Sequence, residues 1–333
     1  MVRRLVSLIL WIALPALGQD VPASAPPTPD MSKVPWSPVP RRAAPGQSAG
    51  STPVISVNVK LVNVFASVAD KSGAPFGGLQ REDFRIFEDG IAQKISVFER
   101  QSELPLSIVV AIDASMSTHK DLPLEIVSAR KFTHAILRPV DTLSLYQFGT
   151  YVTQLSPFTN DEKTIASALG RLRPGAATAL YDAIYLGAQA LENRQGRKVI
   201  VLISDGGDTA SKTDYKEALR AAQISEALIY SIIMVPIEAD AGRDTGGEHA
   251  LIQLAIDTGG KYFYAASTAQ LDEAFSKISD ELRTQYLLAY YPVSRVGPEF
   301  RRISVALTSE AQQRANKELV VRHRAGYYNS KIE

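Results

Sequence analysis

The sequence predicts an α/β fold: a doubly wound, mostly parallel sheet inserted in a discontinuous, all-β sandwich-like domain. Three observations lead there. Across residues 105–284, short continuous apolar runs alternate with stretches of helical periodicity, the mark of parallel strands buried on both faces and joined by crossover helices. In the flanking segments, 54–104 and 285–333, the period falls to two, as in strands with one buried face. Neither flank is long enough to build a stable sheet alone, so the economical arrangement pairs the two with each other around the α/β domain.

The elements follow in order. Met1 to Arg4 carry two arginines, a mostly apolar run extends from Leu5 to Leu17, and Ala16 and Gly18 are small residues that a signal peptidase accepts. Residues 1–18 therefore read as an export signal, which places the mature chain in the periplasm or outside the cell. The run is too short for a permanent span, and no later segment approaches the ~20 apolar residues that a transmembrane helix needs. Gln19, where a lipoprotein would have cysteine, argues against a lipid anchor. Residues 19–53 are dense in Pro, Ser, Ala and Gly and read as a disordered linker, because such a composition buries too little surface to offset chain ordering. Both tryptophans, Trp11 and Trp36, precede the folded part.

From Val54 to Leu61 apolar residues alternate with Ser56, Asn58 and Lys60, which predicts a half-buried strand. Further strands are expected at Phe84–Glu88, before the turn Asp89-Gly90, and at Lys94–Phe98. Buried parallel strands are expected at Leu106–Ile112, Leu143–Phe148, Val199–Ile203, Leu228–Val235 and Tyr262–Tyr264. Helices are expected over about 122–137, 161–172, 179–192, 214–226, 249–257 and 268–284. Tyr151–Leu155 follows Gly149 too closely for a crossover, so it is expected to pair antiparallel at one sheet edge. After Thr284 the alternation returns at Tyr286–Tyr291, Ile303–Leu307 and Leu319–Arg324.

Composition then narrows the chemistry. Hydrophobic residues make up 45% and charged residues 21%, the balance of a folded soluble protein. A formal net charge of +1 gives no general attraction for nucleic acid. With no cysteine there is no disulfide, thiolate metal site or Cys nucleophile. Four scattered histidines, at 119, 134, 249 and 323, leave little room for a His-based zinc site or a Ser-His-Asp triad.

In open parallel sheets, ligands bind beyond the carboxyl ends of the strands. Three polar clusters fall at such places: Asp113-Ala114-Ser115-Met116-Ser117, Gly175-Ala176-Ala177-Thr178, and Ser204-Asp205-Gly206-Gly207-Asp208. Together they offer the carboxylates of Asp113 and Asp205 and the hydroxyls of Ser115, Ser117 and Thr178, all hard oxygen donors suited to Mg²⁺ or Mn²⁺. These three clusters, in this order, resemble the metal-ion-dependent adhesion site (MIDAS) of the von Willebrand factor type A domain. In that family a D-x-S-x-S loop supplies an Asp and two Ser, a later loop a Thr, and a third loop an Asp; the matching positions are Asp113, Ser115, Ser117, Thr178 and Asp205. The resemblance covers about 105–284 and implies a cation, Mg²⁺ with Mn²⁺ or Ca²⁺ possible, that takes a carboxylate from a protein partner. The export signal, the stretch LQREDFRIFEDG within Leu79–Glu99, and the late strands further resemble secreted VWFA-related proteins of Acidobacteria.

Several neighbours of these loops have plainer readings. Thr178 also suits the N-cap of the helix after it, Asp182 the first turn of that helix, and Asp208 a turn or the cap of the next element. Asp182 and Asp208 also bear on the metal reading, and His119 is either an exposed loop residue or one that tunes partner access. Haloacid-dehalogenase-like hydrolases place D-x-D at a strand end, the second Asp acting as acid/base; here Ser115 holds that position and cannot protonate a leaving group. The expectation is an exported, non-enzymatic adhesion or envelope-assembly protein. A metal-dependent phosphate-ester hydrolase and a structural protein with a vestigial site are the alternatives.

Overall fold

The computed structural model describes residues 61–100, 104–115, 122–235, 245–293 and 298–329. The expected export signal, the linker and most of the strand expected from Val54 lie outside these residues; within them the first strand, β1, is Val62–Asp70. It is followed by β2 (Phe84–Glu88), β3 (Ile91–Gln93) and β4 (Ile95–Arg100). Asp89 and Gly90, joining β2 to β3, both have positive φ, 48° and 81°, as a two-residue hairpin turn requires.

The α/β unit runs β5 (Leu106–Asp113), α1 (Leu122–Ile136), β6 (Thr142–Phe148), β7 (Val152–Gln154), α2 (Glu162–Leu169), α3 (Leu180–Glu192), β8 (Arg197–Ser204), α4 (Tyr215–Ile224), β9 (Ala227–Met234), α5 (Thr245–Thr258), β10 (Lys261–Ala265) and α6 (Thr268–Thr284). Its six strands lie in the order β10-β9-β8-β5-β6-β7, parallel except for β7, which pairs antiparallel with β6 at the edge. Every residue of β5 and of β9 is buried, the signature of strands covered on both faces. Alternate residues serve opposite layers. Ile108, Val110 and Ile112 of β5 pack with Phe132 of α1 and Phe275 of α6, while Val109 and Ala111 pack with Leu180 and Ile184 of α3 and Leu251 of α5. The chain leaves β5 towards β6 on one side and later returns to β8 on the other, so the topological switch point lies at β5.

The chain then adds β11 (Tyr286–Tyr290), β12 (Phe300–Leu307), α7 (Ser309–Ala315), β13 (Leu319–Arg322) and β14 (Gly326–Tyr328). These strands complete two antiparallel sheets begun before the α/β unit, β13-β1-β11-β4 and β14-β12-β2-β3. Val64 and Val68 of β1, Phe84 and Ile86 of β2, Leu288 and Tyr290 of β11, and Ile303 of β12 share one core, so the two sheets form a sandwich built from both flanks.

Some expectations needed correction. The helix expected from residue 249 begins at Thr245, with Gly246 and Gly247 in its first turn. The helix expected over 161–172 stops at Leu169, and Asp161 caps its start through the amides of Lys163 and Thr164. Neither α7 nor β14 was legible: α7 buries only Ala311, and β14 has three residues.

The sandwich packs on the amino ends of the parallel strands. Arg324 Nη1 lies 3.5 Å from Glu226, just before β9, and Ala325 N donates to Asp257 O (3.0 Å) near the start of β10. Ser67 of β1 donates to Glu281 near the end of α6 (3.0 Å); Tyr230 donates to the same oxygen (2.8 Å), and Arg322 donates to the other. The carboxyl ends of the strands therefore face away from the sandwich.

Candidate functional site

At the switch point, β5 ends on Asp113 and β8 ends on Ser204, with Ile112 opposite Ile203 in the parallel register. The two strand ends are joined by side chains: Ser204 Oγ donates to Asp113 Oδ2 at 2.6 Å, and Gly206 N donates to Ser204 Oγ at 3.1 Å. Ser115 N donates to Asp113 Oδ1 at 2.8 Å, folding the loop after β5 back on its own first residue. Asp113 is 0% exposed, Ser115 2% and Thr178 5%, and Asp205 is half-buried. Burial pushes the Asp113 carboxyl up to about 6; hydrogen bonds from Ser204 and Ser115 oppose that rise, and the charge of Asp205 adds to it.

The second loop is tied to the first through backbone. Gly175 N donates to Ala114 O (2.5 Å), and Ala179 N donates to Gly149 O (2.7 Å). A Cβ on Gly149 would stand 3.3 Å from the Gly175 Cα, so the β6–β7 turn and this loop touch main chain to main chain. Thr178 is bound to the third loop: its N donates to Thr209 Oγ1 (3.0 Å), and its O accepts from Thr209 N and Ala210 N.

Thr178 is not the N-cap of α3. Ala179 holds that position with no side-chain bond, and the cap comes from another loop, Asp208 Oδ1 accepting from Leu180 N at 2.9 Å. Asp208 is thus a capping residue, though for α3 and not for the next element. Asp182 accepts from Lys212 N and Thr213 N (2.8 Å to the latter), pinning the loop ahead of α4; burial raises its pKa, but these bonds hold it below its ordinary value. The third loop also meets α5. A Cβ on Gly206, at φ +102°, would stand 2.6 Å from Gly247 C, and one on Gly247 would stand 2.8 Å from Gly207 N. Only glycine fits on either side of that contact.

The structure therefore brings the loops of Asp113, Ser115, Thr178 and Asp205 to one place. Ser117 and His119 lie outside the described residues. The sequence reading assigned no role to Ser204, although a hydroxyl residue on the last position of a strand beside Asp205 was a usable signal. Among the described residues no group of three or more His, Cys, Asp or Glu could hold a metal, and the side-chain oxygens on these loops belong to hydroxyls as well as carboxylates. Carboxylate and hydroxyl oxygens without thiol or imidazole suit a hard divalent cation.

Residues 108–208 match the family model of the von Willebrand factor type A domain. No curated protein matches the chain. Among solved structures, the chain is similar to the von Willebrand factor type A protein from Catenulispora acidiphila (10% identity, TM-score 0.48, 74% of this chain and 69% of that one). It is also similar to BatB from Bacteroides thetaiotaomicron (19% identity, TM-score 0.44, 54% and 100%). A third is the von Willebrand domain of the type V pilus tip protein Mfa5 from Porphyromonas gingivalis (16% identity, TM-score 0.42, 53% and 94%). The matched residues take in most of β5 and all of β8, with the loops of Asp113, Thr178 and Asp205.

Proposed function

We propose that the carboxyl end of the α/β unit is a protein-binding site in an exported adhesion or envelope-assembly protein. In this reading Asp113, Ser115, Ser117, Thr178 and Asp205 form a MIDAS that holds Mg²⁺, with Mn²⁺ or Ca²⁺ as substitutes, and a carboxylate of the partner completes the coordination. The observation that carries it is Asp113: a fully buried carboxylate beside the charge of Asp205, surrounded by hydroxyl and amide donors. Two like charges so placed repel, and a divalent cation removes that cost. The bound ion supplies a fixed positive charge for an anionic oxygen. The chain's own residues orient it: Ser204 and Ser115 set the Asp113 carboxylate, and the Thr178 backbone bonds set the third loop. Ser115, in place of a second acid, leaves no proton donor for ester cleavage, so the site binds without turnover.

The test is thermal. Millimolar Mg²⁺ is expected to raise the melting temperature, and Asp113→Ala to abolish the response. Pull-down from envelope extract should retain a partner in Mg²⁺ and release it in EDTA, and the purified protein should show no Mg²⁺-dependent phosphatase activity. A melting curve unmoved by metal would overturn the reading.

A further inference from the structure

We infer that one rim of this site, formed by Tyr151, Arg171 and Arg173, recognises an exposed acidic segment of a partner protein that carries an aromatic or apolar residue. The inference deepens the proposed function and rests on it for the position of the partner's carboxylate, but not for the rim itself.

Tyr151 sits in the β6–β7 turn and is 78% exposed, the most exposed large hydrophobic residue among those described. Its turn is rigid and adjacent to the candidate site. Gly149 O accepts from Ala179 N, and a Cβ on Gly175 would stand 3.4 Å from Thr150 N. A large aromatic ring on a fixed turn costs little entropy to bury, which is the profile of a binding anchor.

The two arginines follow α2 on the same edge of the sheet, one against β6 and one past the end of β7. Arg173 N donates to Gln147 Oε1 and Gln147 Nε2 donates to Arg173 O, both at 2.8 Å, which fixes Arg173 against β6; Gln147 lies opposite Ile112, one residue before Asp113. Arg173 Nη1 donates to Gly170 O and Leu172 O at the end of α2, and Arg171 Nη2 donates to Leu155 O just past β7. Both side chains are exposed, and these bonds hold each guanidinium in place while leaving Nε and the other terminal nitrogen able to donate. The acids of residues 142–178 are Asp161 and Glu162, at the opposite end of α2, about 12 Å away for eight helical residues. Across the site, on the β8 side, Asp182 and Asp208 accept bonds from backbone amides. Two arginines and an aromatic ring thus lie towards β7, while towards β8 the carboxylates of Asp182, Asp205 and Asp208 are accompanied by Lys212, an arrangement that complements an acidic segment on the β7 side.

The probe is a ten-residue peptide, Gly-Glu-Asp-Phe-Glu-Asp-Phe-Glu-Asp-Gly, set against its counterpart with every acid replaced by its amide. Each is titrated into the isotope-labelled full chain by nuclear magnetic resonance, in Mg²⁺ and in EDTA. The acidic peptide is expected to shift resonances of Gly149–Val152 and Arg171–Arg173, and the amide peptide is not. Tyr151→Ala should weaken binding about tenfold. The double change Arg171→Gln and Arg173→Gln should do likewise and reduce the loss of affinity between 50 and 300 mM salt, on the order of the screening expected over that range. Circular dichroism verifies that each variant is folded. Binding that survives both changes, shifts confined to other surfaces, equal binding of the amide peptide, or no binding of either peptide would overturn the rim. If EDTA leaves affinity intact while the rim variants lose it, the rim stands and the metal reading falls. If EDTA abolishes binding and the variants bind as the parent does, the metal reading stands and the rim falls.

Discussion

Ser204 shows how much of the site depends on a residue that is not a candidate ligand. Its hydroxyl donates to a buried carboxylate and accepts from Gly206 N, so it links the end of β8 to the end of β5 and sets the start of the Asp205 loop. Ser204→Ala removes one donor from Asp113 and leaves the Gly206 amide without that acceptor. The expected cost is about 1–3 kcal/mol in urea unfolding with EDTA present, the range for a lost bond to a buried charged group. The Mg²⁺-induced rise in melting temperature should shrink as well, because one of the bonds that orient the Asp113 carboxylate is then gone. A variant with the parent's urea midpoint and full metal response would show that Asp113 is held by its own loop alone.

At the scale of elements, the contact between β12 and the end of β13 is pH-sensitive. His323 accepts from Val305 N at Nε2 (3.0 Å) and lies 2.8 Å from Arg324 O at Nδ1, which requires a neutral ring with its proton on Nδ1. Burial lowers its pKa below the ordinary value of 6.5, more than the bond to Arg324 O raises it. Below pH 6.5 the unfolded chain takes up this proton before the folded one, so the contribution is intact above 6.5 and is lost as pH falls towards the folded value. Asp113 acts with the opposite sign: its raised pKa, about 6, makes the folded chain the better proton acceptor as pH falls from 7. The two are separated by difference. His323→Gln should be less sensitive than the parent to acidification from pH 7 to 5, as measured by melting temperature at each pH, and parallel curves would refute the assignment. Elsewhere, α5 and the third loop meet at Gly206 and Gly247, where backbone approaches backbone within the first turn of the helix.

For the whole molecule, the sandwich and the α/β unit share one seam at the amino ends of the strands. The C-terminal segment carries much of it. A Cβ on Gly259 would collide with the backbone of Arg324, Arg220 of α4 stacks 4.5 Å from the Tyr328 ring, and Arg220 pairs with Glu299 at 2.5 Å. A chain ending at residue 298 would lose β12, β13 and β14, leaving β1 and β2 each with an unpaired edge. Such edges pair with other chains. The truncated protein is expected to aggregate, as measured by light scattering after size exclusion, and a soluble monomer with the parent's far-ultraviolet spectrum would contradict the interleaved sandwich. The arrangement also gives the seam and the candidate site opposite ends of the same sheet, so the sandwich leaves the site open to a partner.

The sequence by itself determined the class of fold. The continuous apolar runs of β5 and β9 could be buried only on both faces, and the alternation of β2 and β12 only on one, so the kinds of sheet followed from period alone. It also named Asp113, Ser115, Thr178 and Asp205, because strand ends and polar clusters are both local features. What it could not decide was contact between distant segments. That Asp208 caps α3 across 28 residues, that Ser204 joins Ser115 in holding Asp113, and that Gly149 must meet Gly175 bare all depend on which strands lie side by side. Strand order is set by the packing of the whole chain, which minimises exposed edges and buried unpaired groups together. Only the tertiary structure could therefore join three loops into one site and leave a basic, aromatic rim along one side of it.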